Sequence, residues 1–123
     1  MSIRKPRVYV VQEQHRRDRK TGKLVSKFDL GPAAEFGHIH YLLSPTASPF
    51  NPAPIIEQLH YNLRKFKKKD FLLLIGNPVL IGLAVAKAAD NTDGDINVLQ
   101  WSGTEKRYIS VSLENIFYNV GNE

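Results

Sequence analysis

The 123-residue chain contains no cysteine. That excludes disulfides, thiolate catalysis, thiolate-ligated zinc and iron–sulfur clusters, and it suits a reducing compartment. Long hydrophobic runs are missing too. The longest, Val79–Ala86, contains Gly82 and stops at Lys87, well short of the ~20 apolar residues needed to cross a bilayer. The basic N-terminus is followed by Val8–Val11, too short for the core of a signal peptide. The expectation is a soluble, cytoplasmic protein with no membrane partner. Neither glycine-rich nucleotide fingerprint, G-x-G-x-x-G or the P-loop with its lysine, is present. No Ser–His–acid or paired-carboxylate arrangement stands out in the order of residues, and there is no helix-turn-helix or RNP aromatic motif. Internal repeats and low-complexity segments are absent as well.

What the chain does have is unevenly placed charge. Its net charge is +5, and fourteen of its seventeen Lys and Arg residues fall in three clusters: Arg4–Arg7, Arg16–Lys27 and Arg64–Lys69. From Asp70 onward there are three bases against seven acids. A basic front of this kind fits a polyanionic partner, either nucleic acid or an acidic host protein. It equally fits a solubilising surface with no partner.

The hydrophobic pattern implies one α/β domain over residues 1–123, with a core of ordinary size for that length. Arg7–Gln12 is β-branched and aromatic and reads as a strand. Leu24–Leu30 alternates weakly and is expected to be its antiparallel mate. Between them, Arg16–Lys23 has no apolar residue and includes Gly22, which makes a cationic hairpin tip around residues 15–23. Gly31–Gly37 reads as one helical turn, His38–Leu43 as a strand, and Ser44–Pro54, with four prolines, as a stiff connection. Ile55, Ile56, Leu59, Leu63 and Phe66 make an apolar stripe that predicts a helix over Ala53–Phe66. Phe71–Ile75 is a continuous apolar run suited to a strand buried on both faces. Asn77 and Pro78 then cap and open a second helix reaching about Ala89. Ile96–Trp101 and Arg107–Leu113 read as a final pair of strands. The prediction is a sheet of about six strands, with a parallel βαβαβ centre, antiparallel edge strands or hairpins, and two main helices.

Four features carry candidate chemistry. The Gly76-Asn77-Pro78 turn sits where a strand meets a helix N-terminus, and the backbone of Gly76, Asn77 and Val79 could hold a phosphate. Pro78 has no amide to offer, and a plain helix cap explains the same residues. His38 and His40, at i and i+2, share one strand face. No acids at matching spacing complete a metal site, so a polar strand face explains them and no metal or other cofactor is expected. Asp90, Asp93 and Asp95 lack the twelfth-position Glu of a calcium loop and read as a turn after the helix.

The basic hairpin is the fourth. Arg16, Arg17, Arg19, Lys20 and Lys23 could track a phosphate backbone, with Arg4, Lys5 and Arg7 expected nearby and Tyr9 available for stacking. Lys65 and Lys67–Lys69 have a structural explanation as well, since bases at a helix C-terminus complement its dipole. The apolar tail Ile116–Val120 is expected to dock on the body or on a partner, and a homodimer through the final strand or tail is a further reading.

Val8-Tyr-Val-Val-Gln-Glu13, Phe28-Asp29-Leu-x-Pro32-Ala-x-Glu35-Phe-Gly37, Leu72-Leu-Leu-Ile-Gly-Asn-Pro78 and Leu99-Gln-Trp101 together resemble a family of short uncharacterised proteins encoded by tailed phages. The likeness covers most of the chain and rests on fold-shaping motifs. In the related pattern an Asp often stands at the position of Asn77. Either residue caps a helix, which argues against a catalytic acid there. The resemblance implies a viral accessory protein acting in the bacterial host cytoplasm, and it supplies no catalytic residue. The expectation is therefore a non-enzymatic phage protein whose basic hairpin contacts nucleic acid or a nucleic-acid-handling host complex. The alternatives are a small nucleotide or phosphate binder using the Gly76 turn, and a protein–protein module.

Overall fold

The computed structural model describes residues 4–118. Its strands are β1 (Arg7–Gln12), β2 (His15–Arg17), β3 (Leu24–Ser26), β4 (His38–Leu43), β5 (Phe71–Leu73), β6 (Ile96–Ser102) and β7 (Arg107–Leu113). Its helices are α1 (Pro52–Asn62) and α2 (Pro78–Asn91), with a single 3-10 turn at Pro32–Glu35. Five strands form one sheet in the order β4-β1-β5-β6-β7, while β2 and β3 form a separate two-stranded ribbon. The four strands β4, β1, β5 and β6 are mutually parallel, and β7 returns antiparallel at one edge.

The position of β1 departs from the expectation. Leu24–Ser26 pairs with His15–Arg17, not with β1, which lies inside the sheet between β4 and β5. The reason is burial. Val8, Tyr9, Val10, Val11 and Gln12 are all buried, and a strand buried on both faces belongs at the centre. Tyr9 and Val11 face one core with Leu42, Leu72 and both helices. Val8 and Val10 face another with Leu73, Leu99, Tyr108 and Ala33 of the 3-10 turn. The chain moves one way from β1 to β4 and the other way from β4 to β5 and β6. Right-handed crossovers then require the first connection to cross on the opposite face from α1 and α2. The two cores divide in that way.

The remaining elements differ mainly at their ends. α1 stops at Asn62, and Leu63 and Phe66, still buried, continue the stripe through a turn held by Phe66 N donating to Leu63 O at 2.9 Å. Ile56 of that stripe is 52 % exposed, so it faces outward and not into the core. α2 begins as expected: Asn77 Oδ1 accepts from Val79 N at 2.9 Å, with Pro78 in the first turn. It ends at a turn where Asp93 and Gly94 adopt positive φ. Asp95 of that turn accepts from Asn115 N and pairs with Lys68 at 3.3 Å. Ile116 N donates to Gly94 O, so the tail begins against the body. Its last expected residues, Asn119 and Val120, lie outside the described part.

Candidate cationic sites

The sheet polarity decides which cations meet. Arg4 and Lys5 precede β1 and Arg7 opens it, whereas the hairpin springs from its far end. Those ends are about 17 Å apart at ~3.3 Å per residue. The expectation that Arg4, Lys5 and Arg7 flank the hairpin is therefore not met. Arg4 and Arg7 lie instead beside the Arg64–Lys69 segment, because α1 runs back from the end of β4 to the start of β5.

Asp70 fastens that end together. Its side chain is fully buried, and its two oxygens accept four hydrogen bonds: Arg4 Nη1 at 2.8 Å, Arg4 Nη2 at 2.7 Å, Arg7 N at 2.9 Å and Lys67 N at 2.9 Å. Burial works against ionisation, yet the bonds from Arg4 and the two amides outweigh it and hold the carboxyl below its ordinary value. The partnership with Asp70 raises the Arg4 pKa. Arg4 also donates to the carbonyls of Lys5 and Lys65. It is a structural clamp, with both terminal nitrogens committed to Asp70 and to these carbonyls.

A cleft of about 230 Å³ opens beside this clamp, lined by Arg7, Tyr9, His40, Tyr41, Leu42, Asn62, Arg64 and Lys65. Arg7 and Tyr9 come from β1, His40, Tyr41 and Leu42 from β4, and Asn62, Arg64 and Lys65 from the end of α1 and the turn that follows it. Arg7 donates to the Tyr9 hydroxyl at 3.1 Å, and the His40 ring stacks on Tyr9 at 5.5 Å between centroids. Burial, then the nearby charges of Arg7 and His38, lower the His40 pKa. His38 and His40 do share a face, as their pairing opposite Arg7 and Tyr9 requires. Among the described residues, no three His, Asp or Glu side chains form a cluster able to hold a metal ion. A wider depression beside Lys5, Glu35 and His38 sets acid against base and is lined otherwise by Pro6, Ala34, Phe36, Gly37 and Ile39.

The Gly76 turn occupies the carboxyl end of the sheet, beside the point where strand order reverses and many α/β proteins bind ligands. Here Gln12 fills that crevice. It is 3 % exposed, and its amide nitrogen lies within hydrogen-bonding reach of the carbonyls of Ser44, Pro45 and Ala47. Its Oε1 accepts from Asn77 N at 3.0 Å. Val79 N is bonded to Asn77 Oδ1. Of the backbone groups proposed for an anion, the Asn77 and Val79 amides are thus already engaged. Gly76, at φ +136, is required by the same crowding: a Cβ there would sit 2.7 Å from Gln12 Cβ.

The hairpin keeps its cations free. Asp18 N donates to Lys23 O and Gly22 N to Asp18 O, both at 2.8 Å, with Gly22 at φ +73. Asp18 Oδ1 accepts from Lys20 N, so the one acid of this segment is turned into its own turn. Arg16, Arg17, Arg19, Lys20, Lys23 and Lys27 are all exposed. None joins an ion pair among the described residues. Arg17 donates only to Gly22 O.

Residues 6–115 match the family model of the phage Pam3 gp32-like protein. The chain belongs to that family. The match covers both cationic regions except Arg4 and Lys5. No curated protein matches the chain, and no solved structure does. Among the described residues no helix is long and apolar enough to cross a membrane.

Proposed function

We propose that this member of the phage Pam3 gp32-like family is a non-enzymatic accessory protein that binds nucleic acid through the β2–β3 hairpin. One observation carries the reading. Six exposed bases sit on or next to a ribbon that gives the core almost nothing, and among the described residues none is paired with an acid. β2 is exposed along its whole length, and an isolated two-stranded hairpin is marginal in water. Clustered like charge makes such a ribbon less stable still, so packing does not account for it. A phosphate backbone supplies the missing counter-charge, and Arg and Lys on a projecting ribbon reach it without base-edge readout. The partner chemistry is therefore sequence-independent, and binding is steeply salt-dependent.

If Arg16, Arg17, Arg19, Lys20 and Lys23 each neutralise one phosphate of duplex DNA, affinity falls about 500-fold between 50 and 200 mM salt, from a log–log slope of about −4.5. Fluorescence anisotropy with labelled DNA at several salt concentrations reads this directly. Failure to bind at low salt, or binding that survives reversal of Arg16, Arg19 and Lys20 to Glu, removes the proposal. Binding of an acidic protein in place of nucleic acid would assign the host-complex reading instead.

A further inference from the structure

The cleft at the opposite end of β1 is a separate cationic site. Two arginines, one lysine and one histidine line it, and no carboxylate does. Asp70, which fastens that end of the molecule, has both oxygens filled by Arg4, Arg7 N and Lys67 N. Among the described residues Arg7, Arg64 and Lys65 enter no ion pair. Part of the arrangement is structural. Arg64 Nη1 donates to Tyr61 O at 2.8 Å, and the guanidinium carbon lies 3.9 Å from the centre of the Tyr61 ring. Some of its charge therefore offsets the carbonyl end of α1. That explanation does not extend to Arg7, which comes from a different element and faces the cleft beside the Tyr9 hydroxyl.

We propose that this cleft binds the phosphate group of a phosphomonoester. The donors differ in kind and direction. The Arg7 and Arg64 guanidinium groups present planar N–H forks, Lys65 a compact point charge, and the Tyr9 hydroxyl keeps its own proton to give while it accepts from Arg7. Such a set suits a tetrahedral dianion better than a planar carboxylate, which offers two oxygens and one charge.

Size narrows the ligand further. At about 230 Å³ the cleft falls below the roughly 300–1,000 Å³ usual for sites that enclose a whole small molecule. It has room for about seven waters at ~30 Å³ each, enough for a phosphate group with the remainder of the ligand outside. β1 forms one wall, with β4 and the end of α1 beside it. A terminal phosphate brings three free oxygens and up to two charges to these donors, where a phosphodiester brings two oxygens and one charge. The source is either a free phosphate ester or the phosphorylated end of a strand. The inference stands independently of the hairpin, which lies at the other end of the sheet.

The test uses the full chain with Arg16, Arg17, Arg19 and Lys20 changed to Gln, so that hairpin binding does not intervene. Amide chemical shifts are followed while inorganic phosphate, adenosine monophosphate, and a short oligonucleotide with a 5′-phosphate or a 5′-hydroxyl are added in turn. The expected result is saturable shifts at Arg7, His40 and Asn62–Lys65. Lys65→Glu, an exposed change that leaves the fold intact, should weaken them by at least about tenfold. Arg64→Gln serves as a second variant with the same expected direction. A preference of about tenfold or more for the 5′-phosphate oligonucleotide over both the 5′-hydroxyl form and the monophosphate identifies a strand end as the source. Equal response to the monophosphate and the 5′-phosphate oligonucleotide identifies the free ester. Absence of shifts at these amides with every probe, or shifts indifferent to both substitutions, overturns the proposal.

Discussion

Replacing Asp70 by Asn tests how the N-terminal arm is held. The carboxylate is fully buried and accepts four hydrogen bonds, two from the Arg4 guanidinium and two from backbone amides. An amide keeps one oxygen to accept and turns an N–H₂ group toward donors that need an acceptor. Breaking a buried pair by removing one partner costs about 3–5 kcal/mol. The Arg4 side chain is 24 % exposed and rehydrates in part, which favours the lower end, about 3 kcal/mol. At ~4 °C per kcal/mol for a domain of this size, the midpoint should fall by about 12 °C near neutral pH.

The pH dependence follows from the direction of the Asp70 shift. The folded value is depressed, so its contribution is complete above the unfolded carboxyl value, near 3.9. It is lost as pH falls through the folded value. Thermal melts followed by circular dichroism should show parent and Asp70→Asn well separated at pH 7. The gap should close progressively below about pH 3.9. A variant melting within about 2 °C of the parent at pH 7 would mean that less than ~1 kcal/mol rests on this group, and the clamp would be refuted.

Because Arg4 holds Asp70, Arg4→Met should destabilise the fold yet leave the salt slope of nucleic-acid binding unchanged; a slope reduced by about 0.9 would return Arg4 to the phosphate ligands. Gln12→Ala strips several bonds from the crevice at the carboxyl end of β1 and should cost about 2 kcal/mol or more in urea unfolding, with no change in polyanion affinity. Asn77→Ala removes the cap on Val79 N and should cost about 1 kcal/mol, while Asn77→Asp should keep or improve stability; equal losses in both would show that the cap contributes nothing. The lowered His40 pKa makes folding disfavour its protonated form, so stability should decline as pH falls from about 6.5. His40→Gln should remove that part of the slope in melts across the same range.

Local signals in the sequence carried the parts of the fold that depend on neighbours. Asn77-Pro78 capped α2 where a cap and a first-turn proline belong, and the alternation of Arg107–Leu113 marked β7 at its observed bounds. The placement of β1 was also written in the residues. Val8-Tyr-Val-Val11 is an unbroken apolar run like Phe71–Ile75, and both mark strands buried on two faces. Chain proximity to Leu24–Leu30 suggested a hairpin partner and obscured that sign.

The cationic sites were legible only in part. The run of bases ending in a glycine marked the turn at Asp18–Lys23, but His15–Arg17, expected in the tip, forms an arm of the ribbon in place of β1. The clamp joins residues 66 positions apart, and no local pattern marks it. Arg7 and Arg64 meet only because β4 crosses back beside β1 and α1 ends at that edge. The clustering of bases just before Asp70 was visible, but a helix dipole explained it equally well without the topology.

The most direct test of the central claim is a titration of labelled duplex DNA at about 50 and 200 mM salt, comparing the parent with the Arg16, Arg19 and Lys20 to Glu variant. The account predicts parent binding that weakens by about two to three orders of magnitude across that range, and no measurable binding by the variant at either salt. Parent and variant curves that coincide, or a parent that does not bind at low salt, would contradict it.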